Sequence, residues 1–309
     1  MADTWPELAL QSEHPVEGMR GGNLSGLALC SGELWAVSDR DDDQIYRLDT
    51  RESLWQAETL PVDVPPAPES GLPWGVRMMG KAISPLRGGE LDFEGISCDE
   101  AGNRFVVSES HAAVLHIPQA GAPSWLKIDP ALVRQARASG MLLHFNALFE
   151  GIAVNPQGNQ IWLAAERERR GLLTIRKKQS VWDCENGCVL MSEGGLEQPP
   201  QLNAKAQAKD FADLALFEDK LFTLERMAYR ICRRTPDTGE IERCWSFAND
   251  ALTDARRYNT GYGNTEALSL DAKGAWVGVD NGSHRRADGE KRPIVWRFAA
   301  PQGGWSAKQ

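Results

Sequence analysis

Residues 149–166 read Phe-Glu-Gly-Ile-Ala-Val-Asn-Pro-Gln-Gly-Asn-Gln-Ile-Trp-Leu-Ala-Ala-Glu. Two apolar runs flank a turn that contains proline and glycine, a pattern typical of two antiparallel β-strands. Variants of the first run occur at 24–29, 93–98, 149–154, 212–217 and 265–270. Each is followed by a short turn and a second run that ends in a carboxylate, at 34–39, 104–109, 161–166, 220–225 and 275–280. One β-sheet motif therefore repeats along the chain.

The spacing of the repeats sets their number. Taking Ser25, Glu94, Glu150, Asp213 and Glu266 as equivalent, the gaps between them are 69, 56, 63 and 53 residues. A third and a fourth apolar run fit in the gaps, and a four-stranded repeat of about 40 residues is a propeller blade. We predict an all-β fold, a five-bladed β-propeller formed by residues 1–309 as one domain, with six blades as the fallback. Residues 7–11 are expected to supply the missing last strand and close the ring.

Helices are expected to contribute little. Only residues 131–143 have the pattern of a helix, and they lie between two repeats. A β-sandwich and an α/β fold are the competing interpretations. No series of helical segments alternates with the strands, which disfavours the α/β fold.

Charge and hydropathy exclude two classes of partner. The formal net charge is −9, so release of counter-ions from a phosphate backbone cannot drive binding, and we predict no nucleic-acid partner. No apolar run approaches the ~20 residues that cross a bilayer, so no membrane span is expected. An acidic chain suits a cation, or an anion that a cation bridges.

Six cysteines bear on the cellular compartment. Cys184 and Cys188 flank a three-residue hairpin loop, and Cys232 and Cys244 flank the turn at 235–239, so each pair is expected to face across a hairpin. Two such disulfides predict an oxidising compartment, the periplasm or the exterior. Residues 1–3 are not a secretory signal, which leaves two alternatives: a mature exported protein, or a cytosolic one with small buried thiols.

Carboxylates recur at both ends of the predicted strand pairs. In a blade the first strand begins, and the second strand ends, at the same face of the ring. The acids that open first strands are Glu94, Glu150, Asp213 and Glu266. The acids that close second strands are Asp39, Glu109, Glu166, Glu225 and Asp280. Nine carboxylates are therefore expected around one mouth of the central channel, on the face that also carries the longer connections.

Crowded carboxylates raise one another's pKa unless a cation or arginines neutralise them. Oxygen ligands in flexible geometry favour Ca²⁺. We expect the first-strand acids to bind at least one calcium ion and the second-strand acids to act mainly as structural partners. Arg40, Arg167, Arg226 and Arg230 supply the alternative, in which acid–arginine pairs hold the blades in register.

Candidate catalytic groups are few. The sequence contains no nucleophile elbow, no zinc-protease helix and no phosphate-binding loop. Three histidines fall on the acidic face and are candidate general bases: His111, His284 and His144. No serine nucleophile can be identified.

The repeated segments resemble a bacterial β-propeller family known as the phytase-like domain, or esterase-like activity of phytase. The family's first repeat, Leu-Ser-Gly-Leu-Ala with Ala-Val-Ser-Asp-Arg after it, is met at 24–28 and 36–40. Its Glu-Gly-Ile pattern recurs at 93–97 and 149–153, and more loosely at 265–269, whereas Asp213 replaces the expected glutamate in the fourth repeat. The resemblance implies a propeller fold, export, and hydrolysis of phosphoesters or esters.

The hypothesis that follows is a Ca²⁺-dependent hydrolase of small phosphoesters or related esters, acting at the acidic mouth with water as the nucleophile. Two alternatives stay open. One is a non-catalytic propeller that binds a protein partner or a small ligand, with structural metal. The other is a lactone hydrolase like the gluconolactonase propellers, which share a Glu-Gly step but do not carry the acid in successive blades.

Overall fold

The computed structural model describes residues 5–20, 23–87, 89–203, 205–282 and 284–307, with the side chains of 83–87 excepted. The fold is all-β, and its strands pair mostly in sequence order within antiparallel sheets. The chain begins with β1 (Leu10–Glu17). The first unit then comprises β2 (Gly26–Cys30), β3 (Glu33–Val37), β4 (Gln44–Asp49) and β5 (Trp55–Pro61). The second comprises β6 (Phe93–Cys98), β7 (Arg104–Ser108), β8 (Ala113–Ile117) and β9 (Ser124–Trp125).

The other three units follow the same plan with local additions. The third comprises β10 (Phe149–Val154), β11 (Gln160–Ala165), β12 (Arg169–Lys178), β13 (Val181–Asp183) and β14 (Val189–Gly194). A short hairpin of β15 (Leu196–Glu197) and β16 (Gln207–Ala208) precedes the fourth. The fourth comprises β17 (Asp213–Phe217), β18 (Lys220–Glu225), β19 (Arg230–Arg234) and β20 (Ile241–Ser246). The fifth comprises β21 (Thr265–Asp271), β22 (Gly274–Val279) and β23 (Ile294–Ala299).

The first strands of the units stand side by side in a ring. β2 contacts β6, β6 contacts β10, β10 contacts β17, β17 contacts β21, and β21 contacts β2. The apolar side chains of neighbouring units pack together in separate clusters around this ring. The architecture is therefore that of a β-propeller, in which packing between sheets, rather than one central core, supplies the buried apolar area.

Glycine lies where these first strands approach each other most closely. A β-carbon added at Gly95 would lie 2.7 Å from the carbonyl oxygen of Glu150, and one added at Gly151 would lie 2.7 Å from the backbone nitrogen of Leu214. No other residue type fits at that separation. The glycine of the Glu-Gly-Ile motif is thus a packing requirement of the ring.

The N-terminal strand joins the two ends of the chain. β1 pairs antiparallel with β23, from Leu10 opposite Phe298 to Pro15 opposite Ile294, and its last residues pair parallel with β5. The strand begins at Leu10, and not at residue 7 as the sequence suggested. Upstream of it the N–H of Leu8 donates instead to the carbonyl of Ser246, at 2.8 Å, in the fourth unit.

Among the described residues, the helices lie in connections between strands. They are α1 (Trp74–Arg87), α2 (Ala131–Ala138), α3 (Ala248–Ala251) and a 3-10 turn at Arg226–Ala228. The predicted helix at 131–143 forms but ends five residues early, because Gly140 adopts a left-handed φ of 84°. The expectation of one helix was wrong, because α1 also forms. The sequence pattern missed α1 because it contains Gly75, Gly80 and Pro85, which are poor helix formers. Among the described residues no helix is long and apolar enough to cross a membrane.

All six cysteines are paired. The predicted disulfides Cys184–Cys188 and Cys232–Cys244 are both present within their units. A third, Cys30–Cys98, links the ends of β2 and β6, with 5.9 Å between the two Cα atoms. The sequence did not reveal it, because its residues are 68 positions apart and meet only when two units pack together.

The disulfide Cys30–Cys98, which joins two units, is expected to stabilise the protein more than the hairpin disulfide Cys184–Cys188 does. The loop-entropy model gives about 4 kcal/mol for a closed loop of some 70 residues and about 2 kcal/mol for a loop of five. The double variant Cys30→Ala/Cys98→Ala should therefore lose about twice as much free energy of unfolding in urea titrations as the control, Cys184→Ala/Cys188→Ala. Equal losses would contradict this ranking.

Candidate functional site

One mouth of the central channel holds a cavity of about 300 Å³. It is the mouth at which first strands begin and second strands end, as the sequence predicts. Two arginines, Arg40 and Arg167, and one histidine, His284, line the cavity. So do six carboxylates, Asp39, Glu94, Glu109, Glu150, Glu166 and Asp280. We call this cavity the acidic mouth.

Five carboxylates of the first three units form two overlapping groups, each close enough together to hold a cation. Asp39, Asp92 and Glu94 each offer an oxygen, and these atoms all lie within 4.8 Å of one another. Glu94, Glu109 and Glu150 form a second such group. Glu94 belongs to both groups, so it lies at the centre of an array of oxygen atoms. We call these five residues the carboxylate array.

The electrostatic cost of this array falls on its central members. Burial raises the pKa of Glu94 well above its usual range, and so does repulsion from neighbouring carboxylates, Glu150, Asp92, Asp39 and Glu109. The pKa of Glu150 is also raised well above its usual range by burial and then by Glu166, Glu109 and Glu266. If both side chains are ionised, a positive charge must therefore lie close to them.

Glu266, predicted to be a metal ligand, lies in a different environment. Arg226 is 7% exposed and binds Glu266 through Nη1, Glu166 through Nη2 at 2.6 Å and Asp210 through Nε at 2.9 Å. The buried guanidinium of Arg226 thus binds three carboxylates that come from three different parts of the ring. Glu266 lies in this arginine cluster and outside the two groups that surround Glu94.

Asp213, also predicted to be a ligand, is fully buried between units. Its carboxylate accepts the N–H of Leu268 in the fifth unit at 2.7 Å and the N–H of Leu214 at 2.8 Å. Burial raises its pKa well above the usual range, and these backbone donors partly oppose that shift. Its position favours a role in holding β17 against β21.

The second-strand acids divide between structure and site. Burial alone would raise the pKa of Glu225, but Arg170, Arg230 and Arg234 surround its carboxylate and hold the pKa well below the usual range. Glu225 and Glu166 thus have the arginine partners that the sequence suggested. Glu109 instead joins the carboxylate array, where it also accepts the N–H of Leu148 at 3.2 Å.

Asp92 is the member of the array that the sequence reasoning missed. It immediately precedes β6 and has a left-handed φ of 56°. Its position two residues before Glu94, at the start of a first strand, is the one sequence signal that could have pointed to it. The repeat comparison concealed Asp92 because only the glutamate belongs to the motif.

The three candidate histidines lie in three settings. His284 lines the acidic mouth, and its Nε2 lies 3.4 Å from the hydroxyl of Tyr262. His144 is exposed, and its Nε2 lies 2.8 Å from a carboxylate oxygen of Glu168. His111 lines a neighbouring cavity, its Nδ1 lies 2.8 Å from the hydroxyl of Ser110, and burial lowers its pKa.

Asp280 gives the mouth a measurable pH dependence. Burial, with repulsion from Glu266 and Asp39, raises its pKa from 3.8 to about 8. The folded protein therefore binds more protons at this group than the unfolded chain does, so the stability it contributes falls as pH rises from about 4 to about 8. In chelator, Asp280→Asn should flatten the fall in Tm between pH 5 and pH 8.

A suitable control for that measurement is Asp219→Asn. Asp219 is exposed in a turn of the fourth unit, and its left-handed φ of 57° suits asparagine. Its pH profile should follow that of the parent protein. An unchanged slope in Asp280→Asn would contradict the raised pKa.

Comparisons with solved structures return distant likenesses. The PQQ-bound aldose sugar dehydrogenase of Streptomyces coelicolor is 12% identical with a TM-score of 0.47, over 95% of this chain and 98% of that one. The glutaminyl cyclase of Myxococcus xanthus is 9% identical with a TM-score of 0.49, over 94% of both chains. The virginiamycin B lyase of Staphylococcus aureus is 11% identical with a TM-score of 0.40, over 96% and 100%. Likeness at this level says nothing about activity.

Sequence comparisons are more specific. No curated protein matches the chain significantly. The family model described as "Phytase-like: Esterase-like activity of phytase" matches residues 20–179, just over half of the 309 residues. The matched region contains the first two units and strands β10 to β12 of the third, and with them all five residues of the carboxylate array. The chain belongs to this phytase-like family.

Proposed function

We propose that the protein is a calcium-dependent hydrolase of phosphoesters or related esters that acts at the acidic mouth. The observation that carries the proposal is the carboxylate array, in which Glu94 is shared by two groups of oxygens within 4.8 Å. The family's description as an esterase-like activity agrees with a hydrolase. Calcium and the ester class are the parts of the proposal that need experiment.

The donor set fits a calcium ion. Ca²⁺ takes six to eight oxygen ligands and tolerates irregular geometry, and the array offers carboxylate oxygens only. A cation at this position would also remove the repulsion that raises the pKa of Glu94 and Glu150. The proposed ligands are therefore Asp39, Asp92, Glu94, Glu109 and Glu150, and they differ from the predicted set because Asp213 and Glu266 have other partners.

Calcium bound there would act as a Lewis acid toward the ester. The chain's own arginines would hold the anionic part of the substrate. Arg40 and Arg167 line the mouth, with about a third of each side chain exposed. Nη2–H of Arg167 donates a hydrogen bond of 3.0 Å to the carbonyl oxygen of Asn146, which holds the guanidinium in place. Guanidinium groups bind phosphoryl oxygens through directional, charge-assisted hydrogen bonds.

His284 is the group that we assign to proton transfer. It is the described histidine that lines the acidic mouth. Its ring would take a proton from water as the water oxygen bonds to phosphorus or to the acyl carbon. The ester oxygen then leaves with the bonding electron pair and is protonated, which gives an alcohol and an acid.

The fold and the compartment complete the proposal. We propose that the five antiparallel units are the five blades of one domain spanning residues 1–309. We propose further that the protein is periplasmic or secreted, since three disulfides are compatible with an oxidising compartment. Its partner would then be a small ester or phosphoester, rather than another protein.

Purified protein should hydrolyse a generic aryl phosphate or aryl ester, and a chelator should abolish the turnover. His284→Ala should lower kcat by about 100-fold, the typical contribution of a positioned acid–base group. The measurement is release of the coloured phenol, with and without chelator and with calcium added back.

His144→Ala is the matched control, because His144 is exposed and lies outside both cavities. It should retain the parental kcat. A chelator effect on Tm without any turnover would instead assign the protein to the non-catalytic class. Equal activity in His284→Ala and the parent would remove that residue from the mechanism.

Calcium binding should depend on the array and not on the arginine cluster. Glu150→Gln removes one charged ligand and should abolish the rise in Tm that calcium produces, because affinity at oxygen sites follows ligand charge. Glu166→Gln should lower Tm through loss of its pairing with Arg226 yet keep the calcium response. Differential scanning calorimetry with a calcium titration measures both effects. A normal calcium response in Glu150→Gln would reject the proposed ligand set.

A further inference from the structure

A second cavity, of about 570 Å³, lies beneath α1 and next to the acidic mouth. Its walls come from α1 and the residues on either side of it, from the turn between β7 and β8, and from the connection that precedes the third unit. Asp92 lines this cavity and also belongs to the carboxylate array, so the two spaces meet at one carboxylate. We call it the α1 cavity.

The walls of the α1 cavity combine apolar and charged side chains. Leu72 and Leu148 are buried, and Val76 and Phe145 are half-buried. Among the charged lining residues Glu69, Lys81 and Glu90 are exposed, Arg77 is half-buried and Asp92 is buried. A cavity of this volume, in which apolar walls adjoin polar groups that can orient a ligand, suits an organic molecule that carries a polar group.

His111 supplies a polar atom of defined character to this cavity. The hydroxyl of Ser110 lies 2.7 Å from the carbonyl of Glu90 and 3.0 Å from that of Leu91, so its single hydrogen is donated to a carbonyl. The hydroxyl must then accept from Nδ1–H of His111, 2.8 Å away. In the neutral ring Nε2 therefore carries the lone pair and can accept a hydrogen bond from a ligand.

We propose that the α1 cavity binds the organic half of the ester, and that the preferred substrates carry an aromatic or similarly bulky apolar leaving group. This inference rests on the proposed function, because it places the reacting centre at the carboxylate array. An ester held there would extend its leaving group past Asp92 into the α1 cavity. The released alcohol could donate its hydroxyl to Nε2 of His111.

Gly80 allows a clean test. It lines the α1 cavity, and a β-carbon added to it would meet no atom within 4 Å, so Gly80→Phe fills the cavity without disturbing the core. Gly75 lies on the same helix, also has no atom within 4 Å of an added β-carbon, and is not part of the lining. Gly75→Phe is therefore the matched control.

Two phosphonates serve as inert probes, because their carbon–phosphorus bond is not hydrolysed. In calorimetry with calcium present, the parent protein and Gly75→Phe should bind 2-naphthylphosphonate at least about tenfold more tightly than methylphosphonate. Gly80→Phe should lose this preference. The ratio of kcat/KM for naphthyl phosphate to that for methyl phosphate should fall in Gly80→Phe and stay at the parental value in Gly75→Phe, and Gly80→Leu gives a smaller filling if the phenylalanine variant folds poorly.

The outcomes separate the two proposals. Equal kcat/KM for the naphthyl and methyl esters in the parent protein would keep the hydrolase and overturn the α1 cavity. A naphthyl preference in binding that Gly80→Phe removes, without turnover of any ester, would keep the cavity and overturn the hydrolase. A binding preference for 2-naphthylphosphonate that survives in Gly80→Phe would overturn the proposed role of the α1 cavity. So would the absence of binding of either phosphonate to the parent protein.

Discussion

At Gly95 and Gly151 the first strand of one unit lies so close to the next that a β-carbon would come within 2.7 Å of backbone atoms. This approach is possible only because both positions lack a side chain. The same approach brings the residues before these glycines, Glu94 and Glu150, together at the mouth. The glycine that lets the ring close therefore creates the carboxylate array. Equivalent positions in the fourth and fifth units hold Leu214 and Ala267, and there the acids take other partners.

The buried carboxylates on the two sides of the channel mouth have different surroundings. On the side of the last two units, Arg226 binds Glu166, Asp210 and Glu266, and Glu225 is surrounded by three arginines. Removal of charge from water costs several kcal/mol per ion, and close guanidinium partners offset that cost. On the side of the first three units, burial and then repulsion from neighbouring carboxylates raise the pKa of Glu94 and Glu150. This electrostatic asymmetry indicates which side of a nearly continuous ring of acids suits a cation.

The connections on the acidic face give the array its surroundings. The connection between the first two units forms α1, and the connection before the third contributes Phe145 and Leu148 to the same cavity. Because the strands beneath are held by sheet hydrogen bonds and by the Cys30–Cys98 disulfide, these connections lie on a well-braced base. The α1 cavity and the acidic mouth thus adjoin at Asp92.

The sequence by itself determined whatever depends on local pairing. The period of two, the turns and the spacing of the carboxylates predicted the strands, the all-β class, both hairpin disulfides and the face on which the acids lie. It could not determine which acids meet, because Glu94 and Glu150 are 56 residues apart and become neighbours only when two units pack. The same reason hid the Cys30–Cys98 bond and the burial of Asp213 between units. Tertiary structure decided these points, since contacts between units leave no periodic signal within either one.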